Sequence, residues 1–225
     1  MSILANVVNV FVDDEGQHGN PLGILWASSS TRKQEQQIAA DLGFSETIFI
    51  DGVDGVATAR IFTPTQELPF AGHPTVGLAA WLRSNGDEVK AIHVPAGSVR
   101  VRFDGERTFV TAMPEWTPAF EFQQLDSADE LRAVDPDAFA QGLHYLWAWI
   151  DEDQHRVRAR MFAPDLGIRE DEATGAAAVR LSAELGRDLQ IVQGQGSLLH
   201  THVRYLGQQI EVGGNVSDAR TLELR

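Results

Sequence analysis

Two stretches of this chain repeat each other at a spacing of one hundred residues, and that echo constrains the fold more than any other feature. Ala59-Arg60-Ile61-Phe62-Thr63-Pro64 reappears as Ala159-Arg160-Met161-Phe162-Ala163-Pro164. Across the ungapped window 49–64, six positions recur identically: Ile50, Asp51, Ala59, Arg60, Phe62 and Pro64. Ordinary composition gives about one such match by chance. A glycine and an apolar, helix-like run follow each copy, Gly72-His73-Pro74 onward to Leu82 and Gly175-Ala176-Ala177 onward to Leu185. The order strand, strand, loop, helix therefore occurs twice. Two copies of this length fit paired lobes about a pseudo-twofold axis, with a cleft between them, rather than a solenoid of many short units.

The remaining composition narrows the function. With 43% apolar residues in 225, the chain has enough material for one large core or two small ones. The absence of cysteine removes disulfides, thiol nucleophiles and cysteine-zinc sites. A net charge of −14 argues against a nucleic-acid partner and leaves room for a small anionic substrate only where the site supplies local positive potential. No apolar run reaches the roughly 18 residues of a membrane span. The first residues lack the basic and apolar regions of a signal peptide, so the expected location is cytoplasmic, away from membranes.

Along the chain, 6–12 alternates like a half-buried strand, and Thr31 to Gln34 has capping-box spacing ahead of a helix ending at Gly43. Ser45 to Ile50 and Val56 to Phe62 read as a hairpin. Pro74 suits the first position of a helix capped by His73 and stopped at Asn85-Gly86. Strands are expected near 89–94, 98–103 and 107–112, then again near 189–193, 199–205 and 208–213. Pro114 to Pro118 is the expected linker, dividing an N-terminal lobe, 1–114, from a C-terminal lobe, 115–225, whose last strand packs back on the first.

Several groups carry possible chemistry. A helix start offers unsatisfied N–H groups and partial positive charge, so Gly72 and Gly175-Ala176 opening two helices across a cleft would cradle an anion from both sides. A lone glycine before a helix is more simply a tight turn; the duplication gives the anion reading its weight. The dipole disfavours the charged form of His73, and a neutral imidazole serves as acid, base or donor. Alternation puts Glu46 on the same strand face as Ile48 and Ile50, where an acid is unfavourable outside a cleft. Asp171 sits among Glu170 and Glu172 ahead of the second helix, a placement that by itself is ordinary helix stabilisation. His200 and His202 share one strand face but lack carboxylates at matching spacing, so no metal is expected there. Gln193-Gly194-Gln195-Gly196 falls short of a dinucleotide fingerprint.

Taken together, Asn9-Val10-Phe11, Gly19-Asn20-Pro21-Leu22, Ser45-Glu46-Thr47, Arg60 to Pro64, Pro69-Phe70-Ala71-Gly72-His73-Pro74-Thr75, Arg160 to Pro164, Glu170 to Ala177 and Gln193-Gly194 resemble the phenazine-biosynthesis isomerase (PhzF-like) family. The resemblance runs in order from the first strand to about residue 196. It implies an α+β, diaminopimelate-epimerase-like fold, two pseudo-symmetric lobes each with a bent β-sheet wrapped around a central helix. It also implies a cofactor-independent, metal-free homodimer. By motif match, Glu46 would be the general acid/base, with His73 and Asp171 as its partners. Ser45, Gly72, Gly175 and Ala176 would bind the substrate. The family's best-characterised reaction isomerises a dihydro-hydroxyanthranilate by moving a proton between ring carbons to give a ketone. Ala71 and Thr174 stand where the epimerase branch carries its two thiols.

Three departures bear on the activity. Glu172 replaces the family's usual proline and adds negative charge beside the anion site, Ala176 replaces a serine hydroxyl, and Ser197 to His202 stand in place of a Gly-Arg-Pro-Ser stretch. Two readings follow: an isomerase moving a proton between carbons of a small, cyclic carboxylate, and a homologue that keeps the cleft but binds without turnover. A metal-dependent enzyme through His200 and His202 is a third.

Overall fold

The computed structural model describes residues 3–224. After β1 (Ile3–Val12), one series of elements runs β2 (Asn20–Trp26), α1 (Glu35–Leu42), β3 (Glu46–Val53), β4 (Ala57–Phe62), β5 (Glu67–Leu68), α2 (Gly72–Ser84), β6 (Ala91–Val94), β7 (Gly97–Asp104) and β8 (Arg107–Ala112). A second series repeats it: β9 (Glu121–Gln124), α3 (Ala128–Ala133), β10 (His144–Asp151), β11 (Arg156–Ala163), β12 (Ile168–Asp171), α4 (Gly175–Leu185), β13 (Leu189–Gln193), β14 (Ser197–Arg204) and β15 (Gln209–Val216). β16 (Arg220–Leu224) follows. The pairing repeats as well. In each series the first strand lies parallel to the second, the second forms a hairpin with the third, a short strand adds antiparallel to the third, and the strand after the long helix lies parallel to it.

Side chains carry the duplication further than sequence identity does. Arg60 makes a two-pronged bond to Glu67 at 2.7 Å and lies over the Phe62 ring; Arg160 does the same with Glu170 at 2.8 Å and Phe162. The ungapped alignment is nevertheless wrong for one strand. Ala59 pairs with Ile50, whereas Ala159 pairs with Trp147, so β3 and β10 correspond at a shift of 97 residues rather than 100. The shared Ile-Asp at 50–51 and 150–151 thus falls at non-equivalent places. The second hairpin is longer at its tip and its bulge lies nearer the turn.

β15 bonds to β14 and β8, and also to β1, which closes β1-β2-β3-β4-β6-β7-β8-β15 into an eight-stranded barrel. α2 fills it: Gly72 through Ala79, Trp81 and Leu82 are all buried, packed with Val10, Leu22, Ile24, Ile48 and Ile50. A helix apolar on every side must be enclosed on every side. The second series stays open, since β9 pairs only with β10 among the described residues. The segment 114–118, expected as a linker, begins with a 3-10 turn, Pro114–Trp116, and lies against α4. Arg180 donates to Thr117 Oγ1 and O at 2.9 and 2.8 Å, and Trp116 packs on Phe70.

Two cap assignments are corrected. α1 begins at Glu35 after Gln34, and Thr31 instead accepts from the Ser28 N–H in the preceding turn. α2 begins one residue before the expected cap, with Ala71 as N-cap and His73 inside the first turn; Thr174 holds the same place on α4. Pro74 still falls where no N–H is needed.

The two helix starts abut backbone to backbone. A Cβ added to Gly175 would lie 3.0 Å from His73 N and 3.2 Å from Gly72 Cα, and one on Gly72 would lie 3.3 Å from Gly175 C. Neither backbone can give way without moving its helix, so Gly175→Ala should cost about 1–3 kcal/mol. A thermal melt should show a loss of several degrees, and an unchanged midpoint would mean the contact is looser than described.

Candidate active site

Glu46 opens β3 on the face that carries Ile48 and Ile50 into the core, which aims its carboxylate at the start of α2. His73 lies there, only 3% exposed, with Nδ1 2.9 Å from Glu46 Oε2 and Nε2 3.1 Å from the Asn20 carbonyl oxygen. A carbonyl only accepts, so Nε2 carries a hydrogen. The 2.9 Å contact then holds one proton between Nδ1 and the carboxylate, as imidazolium facing carboxylate or as neutral imidazole facing carboxylic acid.

Asn20, the first residue of β2, joins this pair to the other series. Its Nδ2 donates to Asp171 Oδ1 at 2.8 Å and to the Ala173 carbonyl at 3.0 Å, and its Oδ1 accepts from Ser45 Oγ at 3.1 Å. Asp171 Oδ2 accepts from Thr174 Oγ1 at 2.6 Å. Behind them Gln193, fully buried, donates to Thr174 Oγ1 and the Asp171 carbonyl, and accepts from the Thr174 N–H and the Tyr145 hydroxyl. Burial, and next the Glu46 charge, push Asp171 up to about 7, against the opposing pull of Thr174, His73 and Asn20. Burial likewise drives the Tyr145 phenol upward.

The structure thus brings Ser45, Glu46, His73 and Asp171 into one connected group beside the Gly72/Gly175 contact. Among the described residues, no protein acceptor meets the N–H groups of Gly72, His73, Gly175 or Ala176. Ala176 is half-buried and contributes only a methyl group. Asn20, Ser45 and Asp171 also line a cavity of about 430 Å³ with Pro21, Phe44, Pro64, Leu166, Ile168, Glu170 and Glu172. No Lys, Arg or His lines it. Glu172 faces the turn after β13, where its carboxylate accepts from Gln195 N at 2.9 Å and Ser197 Oγ at 2.7 Å. Among the described residues, neither His200 nor His202 bonds to this group. His202 meets Asp188 and packs on Phe109, and burial beside Arg107 pushes His200 down to about 4.

Asn20 and Gln193 are the residues that sequence reasoning left without a role. Gln193 had a visible signal: alternation from Leu189 and Ile191 points its amide into the core, where it needs partners.

Asp171 provides a pH test. Between about pH 4 and 7 the unfolded chain has released this proton while the folded chain keeps it, so stability falls as pH rises through that window. Asp171→Asn removes the buried charge and should raise the melting midpoint at pH 8 by roughly 5 °C, on the order of 2 kcal/mol, with little change at pH 4. An equal shift at both pH values would contradict a raised Asp171.

The comparisons agree with this architecture. The family model described as "Phenazine biosynthesis-like protein" (PhzC-PhzF) matches residues 8–144 and again 122–212. The trans-2,3-dihydro-3-hydroxyanthranilate isomerase of Pseudomonas fluorescens is 32% identical over 216 residues, covering 79% of this chain and 78% of that protein. A Bacillus anthracis phenazine biosynthesis protein of the PhzF family superposes with a TM-score of 0.77 at 20% identity, over 100% of this chain and 99% of its own. A probable proline racemase from Agrobacterium radiobacter K84 gives 0.62 at 12% identity, over 99% and 93%, so the fold extends to the racemases. The chain belongs to the phenazine biosynthesis-like (PhzC-PhzF) family of isomerases.

Proposed function

We propose that this protein moves a proton between two carbons of a small, cyclic carboxylate without a cofactor, using Glu46 as base and then acid. The observation that carries this reading is the Glu46–His73 pair, which holds one mobile proton because Asn20 occupies the other ring nitrogen. In our reading the two series are pseudo-symmetric lobes, 1–114 and 115–225, of a homodimeric enzyme. The substrate carboxylate lies against the N–H groups of Gly72, His73, Gly175 and Ala176, where the two helix dipoles supply positive potential. Ser45 adds a hydroxyl at the same edge.

With the substrate so held, ionised Glu46 takes a proton from carbon, and the C–H electron pair enters the conjugated system. Glu46 then returns the proton at a second carbon, and no atom is gained or lost. The His73 ring, which meets Glu46 Oε2 through Nδ1, orients the Glu46 carboxyl group through both transfers. Asp171, across the site, is kept near its own protonation midpoint by burial and is suited to hold or exchange a proton with a polar group of the substrate.

Incubation with cyclic carboxylates in D2O tests this. Deuterium should enter at carbon with the parent protein and fall by roughly 10²–10⁴-fold in Glu46→Gln. The missing hydroxyl at Ala176 favours the second reading, a homologue that binds without turnover. Tight binding of a carboxylate with no exchange at any carbon would establish that one instead.

A further inference from the structure

We propose that Glu172 is a positioning residue that sets the Glu46–His73 pair from the far side of the site, through Ser197 and the backbone that runs from the Gly19 N–H to the Asn20 carbonyl. The proposal rests on the reading of that pair as the reacting group. Every link has a determined direction. A carboxylate only accepts, so the Ser197 hydroxyl donates to Glu172 Oε1 at 2.7 Å; an amide N–H only donates, so the Gly19 N–H donates to Ser197 Oγ at 3.0 Å. Ser197 is fully buried, so its hydroxyl makes both bonds within the protein. The next residue is Asn20, whose carbonyl fixes the hydrogen on His73 Nε2 and whose amide fixes Asp171.

The bond to Gly19 adds to the β1–β2 ladder, which already pairs Asn20 with Val10. Gly19 is left-handed at φ +82°, and His18 is also left-handed at +61°. Glycine adopts this region freely, whereas the non-glycine His18 does so at a cost that its surroundings must offset. Glu172 also takes the Gln195 N–H, so one carboxylate ties the turn after β13 to the strand that carries Asn20. That turn presents Gln193, the other holder of Asp171. Removing the carboxylate therefore loosens both supports of the site, although Glu172 touches neither Glu46 nor His73.

Hydrogen exchange by NMR tests this without any substrate, so failure here is separable from failure of the proposed reaction. In Glu172→Ala, the Gly19 backbone amide and the Asn20 side-chain amide should lose protection roughly tenfold or more, while amides inside α2 keep theirs. Ser197→Ala should give the same pattern, and the double variant should add little to either single one. Glu172→Gln, whose oxygen still accepts from Ser197, should restore most of the protection. With an exchange assay in hand, Glu172→Ala should lower kcat, and Glu172→Gln should recover most of the loss. Parental protection at Gly19 and Asn20 in a folded Glu172→Ala or Ser197→Ala protein would overturn the proposal. So would a loss spread evenly over α2.

Discussion

Everything at the site depends on how closely two helices approach at their first residues. Gly72 and Gly175 bring the backbones of α2 and α4 so close that a Cβ on either glycine would lie 3.0–3.3 Å from the other helix's backbone, tighter than an ordinary contact. Two positive helix ends facing each other repel, and their N–H groups have no protein acceptor. The arrangement is tolerable because the helices are held elsewhere, α2 by a closed ring of eight strands and α4 by β14, β15 and the Thr117–Arg180 clasp. The energy of the packed core thus maintains an electrostatic situation that a bound anion would relieve.

The duplication supplies the scaffold, and its asymmetries distinguish the two halves of the candidate site. Arg60–Glu67 and Arg160–Glu170 are the same device used twice, pinning each short strand ahead of its helix. The short strands then differ. Leu68 and Asp171 occupy equivalent places, since each pairs with the residue after its arginine, Ile61 or Met161. At the helix starts His73 answers to Ala176. One half brings the histidine, the other the buried acid, and among the described residues Asn20 alone bonds to both.

Much of this was legible in the residues. Alternation placed Glu46 on the core face, the glycines marked the helix starts, and the motif order pointed to the family and to Asp171. Three things were not. The three-residue slip between β3 and β10 is invisible to an ungapped comparison, because register depends on hairpin length and bulge position. The bridging role of Asn20 needs the contact between β2 and residues 171–173, some 150 positions away in sequence. The carboxylate of Glu172 looked like added charge beside an anion site, yet it is taken up by the Gln195 N–H and by Ser197, the first residue of the segment that departs from the family pattern. Those two departures meet in space, which no single-position comparison reveals.

The central claim is that Asn20 commits one nitrogen of His73 and so leaves a single proton to be shared with Glu46. The ¹⁵N NMR spectrum of the His73 imidazole reads this directly. The account predicts a protonated Nε2 throughout the pH range in which the protein is folded, with any titration confined to Nδ1. A ring protonated on Nδ1 alone, with Nε2 bare toward the Asn20 carbonyl, would contradict it.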